Sequence, residues 1–191
     1  FVADKPVMFV GRGVRCGGAA DELRMVAERL QIPGASSDSG LGAVPVEHPL
    51  SLGLVQRGGT YQSNHACRQA DVLLALGVRF DDRTSSSWIP GYSFTIPPTQ
   101  LIHVDIDPEE IGRNYPVALG LMADVRTFLR QIIAELDRRG HSGGPTADSR
   151  NWLHALDGYR AEWAAFVAPG MADASPHINP PRAAAEHDTA C

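Results

Sequence analysis

The stretch DVLLALGVRFDDR, residues 71–83, decides how this chain folds. Val72 to Leu76 are apolar in succession, with no polar alternation, as a parallel strand covered on both faces must be. Gly77 ends the run, and two arginines and two aspartates follow at once. In a wound parallel sheet, ligands gather at the carboxyl ends of the strands. The loop therefore reads either as a ligand-gripping segment or as a solvated turn whose charges pair with one another.

The same pattern recurs on both sides. PVMFVG (6–11) is a short apolar strand closed by glycine, QLIHVDI (100–106) is another, and VALGLMA (117–123) is a weaker one. Between them lie helical spacings. Leu23, Val26, Ala27 and Leu30 share a face and Pro33-Gly34 closes the run, a second helix is expected near Ser63 to Ala70, and Val125, Phe128, Leu129, Ile132, Ile133 and Leu136 form a stripe behind a candidate N-cap, Asp124. GASSDSGLGAVPVEHP (34–49) reads as a loop with a small strand at its front. Strands alternating with helices predict an α/β, Rossmann-like, doubly wound parallel sheet over residues 1–139.

Residues 140–191 change character. GHSGGPTADS is a linker, and a short amphipathic helix follows with Trp152, Leu156, Tyr159, Trp163 and Phe166 on one face. The Pro-, Gly- and Ala-rich remainder makes a helical and irregular C-terminal tail. The aromatic stripe is expected to pack on the main domain or on a neighbour.

Bulk properties narrow the function. The 191 residues are 43% hydrophobic and 20% charged, enough for a real core, and the formal net charge of −5 with no basic block argues against nucleic acid or an anionic membrane as partner. No apolar run is long enough to span a bilayer. Cys16, Cys67 and Cys191 are scattered without a C-x-x-C, which points to a reducing, cytoplasmic setting. The chain opens on Phe1 and reads as a piece of something longer.

Four strand ends carry candidate chemistry. GRGVRCGG (11–18) puts Gly11 and Gly13 in a G-x-G turn between strand and helix, where backbone can approach a pyrophosphate, although Cys16 breaks the G-x-G-x-x-G fingerprint. Arg79 and Arg83 could clamp phosphate oxygens, with Asp81 accepting from a ribose or an amide. Asp105 ends a strand where a carboxylate reads sugar hydroxyls, whereas Asp107-Pro108 and Asp124 read as caps. Together the loops suggest one cleft for a long, nucleotide-like ligand. There is no H-E-x-x-H, no G-x-S-x-G and no P-loop lysine, the single lysine being Lys5. No catalytic residue and no metal ligand is expected.

In this order PVMFVGRG, GLGAVPVEHPLSLG, GTYQSNHACRQADVLLALGVRFDDRT, LIHVDIDPEEIGRN and ADVRTFLRQII resemble the central domain of thiamine-diphosphate-dependent enzymes, closest to the acetohydroxyacid synthase (acetolactate synthase large subunit) branch. The resemblance covers residues 4–139 and implies a DHS-like NAD/FAD-binding fold with FAD or ADP in its cleft. Site positions carried over by it are Gly11, Arg12, Gly13, Ser37, Gly58, Gly59, Gly77, Val78, Arg79, Phe80, Asp81, Arg83, Asp105, Ile106, Asp124 and Val125. It also implies a parent acting on 2-oxo acids such as pyruvate. Thiamine diphosphate and magnesium would be held by flanking domains, and the assembly would be a homo-dimer or tetramer. INPPRAAAE looks like the entrance to the next domain, and the chain alone is expected to be inactive.

Three departures bear on FAD. Arg57-Gly58-Gly59 stands for Met-His-Gly, Asp38 stands for a leucine beside the flavin, and TSSSWIPGYSFTIPPTQ replaces a short link. A buried, unpaired Asp38 would be costly. A spacer or dimerisation domain with an empty cleft is the alternative reading.

Overall fold

The computed structural model describes residues 3–141, 143–144, 147–172 and 180–183. The strands are β1 (Pro6–Val10), β2 (Gly34–Ser36), β3 (Ser51–Leu54), β4 (Val72–Leu76), β5 (Gln100–Asp105) and β6 (Leu119–Met122). The helices are α1 (Arg12–Cys16), α2 (Ala20–Leu30), α3 (Tyr61–Gln69), α4 (Val125–Arg138) and α5 (Ala147–Met171). All strand pairs are parallel, in the order β3-β2-β1-β4-β5-β6. The chain thus leaves β1 in one direction and resumes on its other side at β4, and the switch point lies between those two strands.

Period-two alternation sorts the core. Val7 and Phe9 of β1 join Leu73, Ala75 and Leu101 under α3 and α5, while Met8 and Val10 join Leu76 and Val104 under α2 and α4. The two central strands are covered on both faces, which is why residues 72–76 show no polar alternation.

Two features go beyond the sequence reading. SLGL (51–54) forms the edge strand β3, only part-buried and interrupted by Gly53, so it lacks an apolar signature. The tail helix is not short: α5 has 25 residues. Its first half docks, with Leu156 fully buried and the Trp152 indole N–H donating to the Pro6 carbonyl at 3.1 Å, whereas Trp163 and Phe166 remain exposed. The expected entrance at 178–186 and the linker residues 142, 145 and 146 lie wholly or partly outside the described residues.

Helices α2 and α4 are joined by one buried acid. Glu22 Oε1 accepts from Arg126 Nε at 2.8 Å and from Arg130 Nε at 2.9 Å. The Arg126 bond leads in lowering its carboxyl pKa from 4.5 to about 2, against the opposing effect of burial. Because the folded value lies below the unfolded one, the stabilisation is complete above about pH 4.5 and fades as pH falls through about 2. Glu22→Gln should therefore lower the urea midpoint at pH 7, and its deficit should shrink as pH is taken from 4.5 towards 2. A deficit that stays constant over that range would assign the loss to shape rather than charge.

Candidate functional site

The turn after β1 and the turn after β4 are pressed together. A Cβ on Gly11 would lie 2.3 Å from the Gly77 carbonyl oxygen, and one on Gly13 would lie 2.7 Å from the Gly77 Cα. Gly77 itself sits at φ +56°, in the left-handed region that glycine reaches at least cost. The Gly11 and Gly13 amides donate to Leu76 and Gly77 carbonyls at 3.0 and 2.9 Å. These glycines are thus accounted for by backbone-to-backbone packing, and their amides are already in use. G-x-G thus forms a tight turn, and these two amides are not available to an anion.

Beside this contact the loops after β1, β2, β4 and β5 enclose a cleft of about 480 Å³. It is lined by Arg12 and Gly13, by Ser37, by Gly77, Val78, Arg79 and Asp81, and by Asp105 and Ile106, all expected from the sequence. Cys16, Ser39 and Thr84 also line it and were not foreseen. Cys16 follows Arg12 by one helical turn, a spacing legible once α1 is known to be helical. Ser39 is carried on the 3₁₀ turn Asp38–Gly40, which the Ser37 hydroxyl caps by accepting from the Gly40 amide at 3.2 Å.

The loop after β4 alternates in and out. Val78 and Phe80 are buried and Arg79 is exposed, so the strand's period continues past Gly77. Phe80 packs in a ring cluster with Phe9 (5.4 Å), Phe94 (5.5 Å), His103 (5.4 Å) and Tyr115 (5.2 Å). His103 Nε2 lies 3.0 Å from the Val78 carbonyl, and burial pushes the ring's pKa down, so the neutral imidazole donates there.

Other expected site residues take different places. Asp81 Oδ1 accepts from the Thr84 amide at 2.8 Å and hydroxyl at 3.0 Å, which closes the loop. Asp124 caps α4 by accepting from the Thr127 amide at 2.8 Å, and Val125 is buried, its Cγ2 3.1 Å from where a Cβ on Gly77 would lie. Gly58 and Gly59 lie in the turn between β3 and α3, outside the lining.

The arginine clamp is not a pair. Arg79 Nε lies 3.4 Å from Glu110 Oε1, and Arg83 Nε lies 4.0 Å from Asp38 Oδ2. Only Arg79 lines the cleft. Asp38 carries no burial penalty of the kind anticipated, because its side chain is 45% exposed and accepts from Gln56 Nε2 at 3.1 Å. The long segment 84–100 meets the groove only through Thr84. It packs beneath the loop, with Phe94 buried and the Trp88 indole N–H donating to the Phe80 carbonyl at 2.8 Å.

Arg12 is the cleft's free cation. Among the described residues no ion pair or hydrogen bond engages its guanidinium, whereas Arg79 is shared with Glu110. Opposite in charge, Asp105 uses Oδ1 to accept from the Asp107 amide at 3.0 Å, which leaves Oδ2 available. Ile106, 72% exposed, adds an apolar surface next to it. A larger cavity of about 650 Å³ lies between α2 and α5, where His48 faces Glu28 at 3.2 Å, Arg160 holds Asp157 and the carbonyls of Pro49 and Ser51, and the one charge left over, Glu47, is an acid that would repel phosphate. Among the described residues no cluster of His, Cys, Asp and Glu could hold a metal ion, and no helix is long and apolar enough to cross a membrane.

Residues 2–132 match the family described as thiamine pyrophosphate enzyme, central domain. The chain is 38% identical over 134 residues to a probable acetolactate synthase large subunit of Methanocaldococcus jannaschii, covering 70% of this chain and 22% of that protein. It is 34% identical over 161 residues to the acetolactate synthase large subunit of Haemophilus influenzae, covering 84% of this chain and 27% of that protein. With chloroplastic acetolactate synthase 1 of Zea mays the identity is 38% over 159 residues, covering 83% and 24%. The chain thus spans about a quarter of the length of the curated relatives it matches.

Because backbone faces backbone at the switch point, neither side can yield. Gly11→Ala should destabilise the chain by about 1–3 kcal/mol or more, read as a fall in thermal midpoint. Gly58→Ala, with nothing within 4 Å of the added carbon, should leave the midpoint nearly unchanged. Equal midpoints for native protein and Gly11→Ala would contradict the packing account.

Proposed function

The chain belongs to the thiamine pyrophosphate enzymes as a central domain, and from that premise we propose that its cleft binds a nucleotide diphosphate, ADP or FAD, in a parent of the acetolactate-synthase type. The observation that carries this reading is the charge layout at the switch point. A guanidinium without a protein partner, Arg12, and a carboxylate with an uncommitted oxygen, Asp105, line the same cleft.

In this reading Arg12 holds phosphate oxygens through charge-assisted hydrogen bonds, and Arg79 adds a second contact at the expense of its bond to Glu110. Asp105 Oδ2 accepts from ribose hydroxyls, and Ile106 provides apolar surface for the ring system. These donor, acceptor and apolar groups fit a nucleotide, and the parent's further cofactors would be thiamine diphosphate and magnesium. Those would be held by other domains of the parent, which would act on 2-oxo acids such as pyruvate as a homo-oligomer. The part of this domain would be to bind a nucleotide and carry structure, with no catalytic residue of its own.

Calorimetric titration with ADP and with FAD tests the reading. Arg12→Ala should weaken whichever nucleotide binds by about tenfold or more, while Arg83→Ala, outside the lining, should leave affinity unchanged. Equal affinities for native protein and Arg12→Ala would remove Arg12 from the site. Absence of binding by either nucleotide would favour the spacer reading.

A further inference from the structure

The cleft does not stop at Arg12. A second hollow of about 390 Å³ adjoins it, lined by Arg12, Arg15, Cys16 and Ser39, and three of these four residues also line the cleft. Arg12 and Arg15 are three apart on α1, so their side chains leave the same face as neighbours.

Their lack of partners sets them apart. Seventeen basic residues share the chain with 22 acidic ones, so carboxylates are plentiful. Among the described residues every other arginine has a partner. Ion pairs engage Arg24, Arg29, Arg57, Arg79, Arg83, Arg113, Arg126, Arg130, Arg138, Arg139 and Arg160, Arg68 donates to the Gly91 carbonyl, and Arg150 and Arg182 are also engaged. The two arginines left over stand side by side at one hollow. Two adjacent like charges on a helix repel each other, and an anion between them relieves that repulsion.

We propose that Arg12, Arg15 and Ser39 form a second anion subsite that receives a third phosphate of the nucleotide bound in the cleft. The inference rests on the nucleotide reading of the cleft and extends it, because ADP and FAD carry only a pyrophosphate. The third phosphate is either the end of a triphosphate chain or a phosphate on the ribose. Arg15 donates from its guanidinium, Ser39 from its hydroxyl, and Arg12 is shared between the two subsites.

The test is titration of the chain, without magnesium and at low ionic strength, with ADP, ATP and ADP bearing a 3′-phosphate. Native protein should bind one of the two trisphosphorylated ligands about tenfold more tightly than ADP, and which one gains tells chain end from ribose. Arg15→Ala should abolish that gain and leave ADP affinity intact, while Arg24→Ala, an exposed arginine on α2, should keep both. Unchanged thermal midpoints would confirm that the variants fold. Equal affinity of native protein for all three ligands would overturn the subsite and leave the cleft reading standing. A gain that survives Arg15→Ala would likewise overturn it. If none of the three ligands binds, the subsite falls; the cleft reading falls with it only if FAD, titrated alongside, also fails to bind.

Discussion

Contact between two glycine turns is the constraint on which the rest of this structure depends. Gly11 and Gly13 after β1 meet Gly77 after β4 with no room for a side chain on either. Strand neighbours can lie side by side with many residue types in their interiors, but their exits diverge only if the chain turns sharply at each end. Here the exits of β1 and β4 touch and then part, one into α1 and the other into the 77–84 loop. The parting makes the cleft, and the touching fixes its depth. The same contact uses up the Gly11 and Gly13 amides, so neither is free to meet an anion.

What holds the cleft's walls in place is apolar and lies below it. Phe80 is drawn into a cluster of aromatic rings under the sheet, and Val78 is buried with it. With alternate residues anchored inward, Arg79 and Asp81 have to face outward into the cleft. The 84–100 segment contributes Phe94 to that cluster and a hydrogen bond from Trp88 to the loop backbone. Apart from Thr84, which lines the cleft, the segment is a brace beneath the site.

The doubly wound sheet was legible because its central strands are uninterrupted apolar runs and its helices keep a clear stripe. Legibility failed where the physical signal is weak. β3 is a part-buried edge strand with a glycine in it. α5 carries Gly158 and Pro169 and leaves much of its length in solvent, so nothing in its spacing announces 25 residues. In the site, nine of the sixteen expected residues line the cleft: strand ends pointed to Gly13, Gly77, Arg79, Asp81 and Asp105, and the family resemblance added Arg12, Ser37, Val78 and Ile106. The partners were not legible. Spacing cannot tell that Glu110 sits 3.4 Å from Arg79 or that Gln56 and Arg83 accompany Asp38, since each contact joins loops distant in sequence. Arg12, one residue among many in a glycine-rich turn, gained its importance only once the pairing of the other arginines could be seen.

Location, rather than affinity, tests the central claim most directly: that the exits of β1, β2, β4 and β5 form one nucleotide cleft. Backbone amide NMR shifts recorded during an ADP titration would give it. The account predicts that the shifted amides concentrate in residues 12–16, 37–39, 77–81 and 105–106. Shifts concentrated instead around Glu28, His48 and Arg160, at the cavity between α2 and α5, would contradict it.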